Sequence, residues 1–415
     1  MTRFTSVLCG VLTALLLCAS VPGAVSAAPT GTQQVPLPRD DPFYVPPAGF
    51  ESSPNGTVLR SRQVTAVAFV LPVPASTYQV LYKSVDSHDR PVAEAATVLV
   101  PKGAWRGQGP RPLLSYQIAV DSLSTRCQPS YTLRAGLFGS PTGVGTYEFT
   151  LSLGALLKGY AVVYSDYQGP RSEFAAGPQA AHAVLDGIRA VQHYAPAGLD
   201  PQGPVGLWGY SGGGLATTWA AEQQASYAPE LNVVGAAAGG VPADLEAMLK
   251  YNDGGLGAGL GLLGVMGLDR AFPEAGVQAL LNDRGRKLFA DNAEACTLDV
   301  ALFHPFDRLA NYTTVAKPAD SAPARYLYRV NNTGKATPDF PVYNYHGTVD
   351  EFVPLAPVDT LVAGYCADGG TVAVSRIPLA GHITGEIVGA GDALGFLTDT
   401  FNGKPTRNDC AKQFR

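Results

Sequence analysis

Val205-Gly206-Leu207-Trp208-Gly209-Tyr210-Ser211-Gly212-Gly213-Gly214-Leu215-Ala216 changes character at its middle. A short apolar run of the kind buried in a parallel sheet enters from Val205 to Trp208, and a good helix former leaves from Leu215 to about Ala225. Between them Gly209-Tyr210-Ser211-Gly212-Gly213 matches G-x-S-x-G. The five residues alone are a weak signal in a chain with 47 glycines. The strand-turn-helix setting strengthens it, because that is where such a serine is lifted into the open. The glycines have a physical role. A sharp turn needs neighbours without side chains where strand and helix come closest, and Gly212 leaves its N–H free to face an oxyanion.

Working outward, strand-like segments run over Val64 to Leu71, Tyr78 to Val85, Ala93 to Val100, Leu113 to Val120, Tyr160 to Ser165, Asn232 to Ala237, Pro341 to Tyr345 and Val372 to Ile377. Helical stretches cover Ala180 to Tyr194, Pro357 to Cys366 and Ala393 to Phe401. This alternation predicts an α/β fold with a mostly parallel sheet, whose ligands sit beyond the carboxyl ends of the strands. One stretch breaks it. From 242 to 340 the chain offers helical pieces and no clear strand, and it includes the glycine-laden apolar run Asn252 to Gly267, which suits either a packed helix pair or a movable lid. The expected organisation is an export signal over 1–27, an extended arm over 28–60, a core over 61–241, a helical cap over 242–340 and the rest of the core over 341–415.

A serine hydroxyl needs a base, and the base needs an acid to hold it. On this kind of fold both follow the serine in the chain. His382, in the loop after the Val372 to Ile377 strand, is the expected base. His304 lies in the cap and His346 directly follows a strand, and both are read as structural. Asp350, at the end of the Pro341 to Tyr345 strand in Tyr345-His346-Gly347-Thr348-Val349-Asp350-Glu351, is the expected acid. Glu351 is rejected because neighbouring side chains point opposite ways, which leaves it a solvated or structural carboxylate.

With 29 Lys and Arg against 34 Asp and Glu, the 415-residue chain has a formal net charge of −5, which argues against nucleic acid as a partner. At 46 % apolar and 15 % charged it can bury a large core. Arg3, the apolar run Val7 to Leu17 and Val25-Ser26-Ala27 read as a cleaved secretion signal, with cleavage after Ala27, and no later segment is long enough to span a membrane. Cys9 and Cys18 fall inside the signal. Cys127, Cys296, Cys366 and Cys410 remain, and an even number in an exported chain predicts two disulfides with three possible pairings. Their spacing does not suit a metal site, and neither a metal nor an organic cofactor is expected.

Together, GYSGG at 209–213, YHGTVDEFVP at 345–354, the Gly381-His382 loop, YQIAVDS at 116–122 and the stretch from Gly159 to Ala176 resemble the secretory lipase family. The resemblance runs from about Val64 to Cys410. It implies an α/β-hydrolase core, a helical cap that contributes an acyl-chain tunnel, and fatty-acyl esters such as triacylglycerols as substrates, met at a lipid–water interface. It also implies Asp121 as an oxyanion-hole residue beside Gly212, and disulfides joining Cys127 to Cys296 and Cys366 to Cys410. An ionised Asp121 would repel an oxyanion, so its side chain serves there only if protonated; the alternative is a turn-capping carboxylate that acts through its backbone N–H. Other reactions open to the same serine, acid and base are acyl transfer, hydrolysis of short or polymeric esters, and peptide hydrolysis. A binding protein without catalysis is the remaining alternative.

Overall fold

The computed structural model describes residues 35–139 and 143–411. The stretch read as an export signal, 1–27, lies outside them. Five strands precede the serine turn on the amino-terminal side of the sheet or within it: β1 (Val58–Val64), β4 (Ala75–Val85), β5 (Pro91–Pro101), β6 (Leu113–Gln117) and β7 (Ala161–Ser165), with a small two-stranded ribbon of β2 (Val67–Ala68) and β3 (Leu71–Pro72) between β1 and β4. Then follow β8 (Val205–Tyr210), β9 (Val233–Gly239), β10 (Val342–Gly347) and β11 (Val372–Ile377). They form one nine-stranded sheet in the order β1-β4-β5-β7-β6-β8-β9-β10-β11. Pairing is antiparallel from β1 through β7 and parallel from β7 to β11. The expected α/β architecture is therefore the observed one.

The parallel strands are apolar on both faces because helices cover both. Every residue of β6, β7, β8 and β10 is buried. On one face α3 (Gly177–Gln192) and α4 (Gly212–Tyr227) pack against each other and against the sheet. On the other lie α2 (Gly143–Leu157), which follows α1 (Pro129–Gly139), and the long α11 (His382–Phe401), which packs on β8, β9 and β10. Between β9 and β10 the chain forms α5 (Leu245–Asn252), α6 (Ala258–Ala271), α7 (Asp283–Asp291), α8 (Thr297–Ala301) and α9 (Ala322–Asn331). Their apolar faces make clusters of their own, around Leu262, Leu263 and Met266 and around Phe272 and Leu327. Helix α10 (Leu355–Ala367) joins β10 to β11.

Three local readings change. The strand expected over Val64 to Leu71 is broken: β1 begins earlier, at Val58, and ends at Val64, where the chain turns into the β2–β3 ribbon. Its apolar letters made that stretch look continuous, but Leu71 is 70 % exposed. Helices α1 and α2 were not expected, because their glycines and polar residues give little amphipathic period. His382 opens helix α11 instead of sitting in a loop, since residues 382–401 contain no proline and the helix continues back from Ala393 to Gly381.

Two disulfides are present among the described residues. Cys127 is joined to Cys296, with Cα atoms 5.9 Å apart, and Cys366 to Cys410, with Cα atoms 5.2 Å apart. The second closes a loop of 44 residues at the sheet edge, where Asp409 N–H also bonds to the Val372 carbonyl of β11. Replacing Cys366 and Cys410 by Ser should lower the unfolding free energy by up to about 4 kcal/mol, the chain-entropy value for a loop of that size. Denaturant melts of the double variant against the parent check this, and an unchanged midpoint would show the link to be dispensable.

Candidate active site

The site is built at the carboxyl ends of four parallel strands. Strand β8 delivers Ser211 into a turn that no ordinary residue favours, with φ 53° and ψ −124°, and α4 starts at the next residue. Backbone packing explains the glycines. A Cβ on Gly209 would run into the Gly213 carbonyl, and one on Gly213 would run into the carbonyl of Gln117 on the neighbouring β6. Main chain thus rests on main chain, and the serine is held by sterics as much as by its own hydrogen bond from N–H to the Gly239 carbonyl.

His382, Asp350 and Ser211 come together in one line. The imidazole Nε2 is 2.8 Å from Ser211 Oγ and Nδ1 is 2.7 Å from Asp350 Oδ2. The other carboxylate oxygen of Asp350 accepts the N–H groups of Phe352 (2.9 Å) and Val353 (2.7 Å), so the carboxylate is oriented before it meets the imidazole. Burial alone would push this carboxyl up; the bond to His382 and the two backbone donors outweigh it and hold its pKa below the ordinary value. Glu351 takes the other side of His382: its carboxylate accepts the His382 backbone N–H at 2.9 Å and does not touch the ring. The ring is further fixed by Tyr210, whose hydroxyl donates to the His382 carbonyl, and by Phe352 standing edge-on to it.

The other two histidines are elsewhere in function. His346, fully buried in β10, lies 3.4 Å from Asp350 Oδ2 and 3.0 Å from the Val353 carbonyl, and burial holds its pKa below the ordinary value. It backs the acid from behind. His304 pairs with Asp307 at 2.8 Å in the helical segment between β9 and β10.

Asp121 follows β6 in a loop that turns through a left-handed residue, φ 42° at Asp121 itself. A Cβ on Gly212 would overlap Asp121 Oδ1, so the carboxyl lies directly against the first residue of α4. Oδ1 is buried with no hydrogen-bond partner. The backbone N–H of Asp121 is already engaged: with the Gln168 amide turned so that its oxygen faces that N–H and its nitrogen faces the Ser122 carbonyl, the distances are 3.2 and 3.0 Å. Burial pushes the Asp121 carboxyl up to about 7, against the pull of His382 and its own N–H. Two more buried carboxyls stand nearby and were not read from the sequence. Glu148 accepts the Ala119 N–H and is raised well above the ordinary range by burial; Glu386, one helical turn beyond His382, is raised to about 8 by burial and by the charge on Asp121. The four-residue spacing from His382 to Glu386 is the signal that would have placed it on the same helix face.

Ser211, Gly212 and Asp121 open onto an apolar cavity of about 140 Å³. The helical segment supplies most of its wall, including Leu249, Leu260, Val265, Leu280, Leu309 and Leu327. The Gly/Leu run thereby divides: Leu260 and Val265 face the cavity, whereas Leu263 is fully buried in the segment's own core. Among the described residues no group of three or more His, Cys, Asp or Glu is arranged to hold a metal ion. No helix among them is long and apolar enough to cross a membrane.

Sheet order, the strained serine between β8 and α4 and the inserted helices define an α/β-hydrolase. The fold is that of Candida antarctica lipase A, with a TM-score of 0.85 at 32 % identity over 91 % of this chain and 89 % of that one. An esterase of Xanthomonas oryzae, at 18 % identity and a TM-score of 0.66 over 85 % of this chain and all of that one, shares the fold. Residues 138–409 match the secretory lipase family, and the chain belongs to that family. Among its relatives are a lipase A of Moesziomyces aphidis, 34 % identical over 95 % of this chain and 88 % of that protein, and a secreted triacylglycerol lipase of Malassezia restricta, 31 % identical over 94 % and 85 %. A protein of Mycobacterium tuberculosis named a probable inactive lipase is 37 % identical over 89 % and 83 %.

Leu260→Trp should shorten the cavity without touching Ser211, His382 or Asp350. Hydrolysis of p-nitrophenyl esters should then fall for chains of about twelve carbons and longer while acetate and butyrate turnover stays within a fewfold. Equal losses on short and long esters would mean that Leu260 contributes only to packing.

Proposed function

We propose that this protein is an exported serine ester hydrolase acting on triacylglycerols or other fatty-acyl esters. The observation that carries the reading is the unbroken chain of hydrogen bonds from Asp350 through His382 to Ser211, facing an apolar cavity. Export accords with the signal-like first 27 residues and with two disulfides, which persist in oxidising compartments.

In this mechanism His382 Nε2 takes the Ser211 proton as Oγ attacks the ester carbonyl, and Asp350 fixes the tautomer with Nδ1–H and stabilises the imidazolium. The tetrahedral intermediate puts its negative oxygen between the Gly212 N–H, which has no acceptor inside the first turn of α4, and the carboxyl of Asp121. Collapse breaks the carbon–oxygen bond to the alcohol, which leaves with the proton from His382. Water repeats the sequence on the acyl-enzyme, releases the fatty acid and restores Ser211. The acyl chain occupies the cavity walled by the helical segment, where its burial contributes about 0.8 kcal/mol per methylene.

The engaged backbone N–H and the unpartnered Oδ1 support the side chain of Asp121 as the oxyanion donor. A carboxylic acid donates only while protonated. With its pKa near 7, Asp121 contributes fully below neutrality, and its contribution is lost as pH rises through about 7.

Ser211→Ala should reduce kcat by on the order of 10³-fold or more, and adding His382→Ala should cost little further, because the three groups act as a unit. Retained ester hydrolysis in Ser211→Ala would end the reading. Across a pH series, Asp121→Ala should lose about 3 kcal/mol of transition-state stabilisation, the size of one oxyanion contact. Asp121→Asn, which donates at any pH, should retain far more activity and lose the alkaline fall centred near 7. If both variants stay within a fewfold of the parent at every pH, the carboxyl takes no part.

A further inference from the structure

The loop that carries Asp121 leaves the sheet at Gln117 and, after a 3-10 turn at Thr125–Cys127, runs into α1. Glu148, Tyr167 and Gln168 bond to its first residues, and its other fastenings come largely from one distant stretch, the residues just before and at the start of α8. Thr297 Oγ1 lies 2.8 Å from the Val120 carbonyl and 3.0 Å from the Asp121 carbonyl. The Leu123 N–H donates to the Ala295 carbonyl at 2.8 Å, and the Leu123 carbonyl accepts from Arg270 of α6 at 2.7 Å. The disulfide from Cys127 to Cys296 closes the other end of the loop. Thr297 is 8 % exposed and Asp121 7 %, so water is not at hand to replace a lost hydroxyl.

The backbone at Asp121 occupies the left-handed region, a conformation that persists in a non-glycine residue only when its surroundings over-determine it. Both carbonyls that flank that turn point at one hydroxyl. Without it two buried acceptors lose their shared donor, and the least costly response is a rotation of the peptides that relieves the positive φ. Such a rotation would carry the carboxyl off Gly212.

We propose that Thr297 is a positioning residue for ester hydrolysis: its hydroxyl, presented by the helical segment, holds the Val120–Asp121 backbone in the turn that keeps the Asp121 carboxyl against the amino end of α4. This rests on Asp121 as oxyanion donor. It adds that the donor is aimed by the segment that also walls the acyl cavity, so that the two halves of the site are coupled where Thr297 meets the loop.

The test compares Thr297→Val, which keeps the shape and loses the hydroxyl, with Thr297→Ser, which keeps the hydroxyl, in the full-length protein with p-nitrophenyl butyrate. Active-site titration normalises kcat, and thermal melts report folding. Thr297→Val should lower kcat about 10- to 100-fold, the penalty for a catalytic group displaced by about 1 Å, with KM within twofold. Thr297→Ser should stay within about threefold of the parent. In an Asp121→Ala background Thr297→Val should cost less than twofold, because the group it positions is gone. A kcat for Thr297→Val equal to the parent's, or an equal loss in both backgrounds, overturns the proposal. Asp121→Ala alone reports on the oxyanion reading, so a null result there is separable from a null result at Thr297. Should Thr297→Val fail to fold, Thr297→Ala takes its place, and full kcat in that variant overturns the proposal equally.

Discussion

Gln117 on β6 and Gly213 at the start of α4 stand so close that a single methyl group at 213 would collide with the Gln117 carbonyl. Everything in the site depends on that contact of main chain with main chain. It lets α4 begin immediately beyond β8, which forces Ser211 into its strained conformation and presents Oγ above the sheet. It also brings the loop after β6 beside the helix's free N–H groups, so that Asp121 and Gly212 meet. Glycine is required here because nothing larger fits, and the pattern Gly209, Gly212, Gly213 is the imprint of three such contacts, with Gly213, Asp121 and Gln117 as the opposing groups.

Two carboxyls close to His382 feel the same upward push from burial and end on opposite sides of the ordinary value. Asp350 receives two backbone N–H groups and the imidazole, which together more than offset its desolvation and keep it ionised. Asp121 receives almost no such help, its Oδ1 has no partner, and desolvation prevails. In the proposed mechanism, the acid that stays charged and the one that keeps its proton are thus distinguished by the supply of N–H donors, not by distance from the serine. Glu148 and Glu386 extend the desolvated region behind Asp121, where a further negative charge would be costly.

Much of this was legible in the residues themselves. Parallel strands buried on both faces write themselves as apolar runs, so β6 to β11 were found, and the Gly-x-Ser-x-Gly turn marked the crossing of β8 into α4. Order along the chain was enough to select His382 and Asp350 as candidates. What remained hidden needed long-range information. Leu71 looked like a strand residue because its letters were apolar, yet it is exposed in a ribbon. Glu351 was readable as a structural carboxylate, but that it binds the His382 N–H depends on how β10 and β11 align. Which leucines of the Gly/Leu run face the cavity depends on the rotation of α6, and glycines at four of its positions blur the period that would reveal it. Thr297 carried no signal at all, being one threonine at the start of a short helix, 176 residues from the carbonyl it holds.

That separation bears on the order in which the molecule is made. The loop after β6 leaves the ribosome long before residues 293–299, and the strands β6, β7, β8 and β9 are all complete before the segment that fastens the loop exists. Contacts so distant in the chain form late, because their loop closure must be met by structure already gathered. The serine turn can therefore be assembled from local strands while the loop beside it is still unanchored. Only when the chain has extended through Thr297, and Cys296 has found Cys127, is the loop that carries Asp121 tied down. Nascent chain and finished protein differ in this loop before they differ in the sheet.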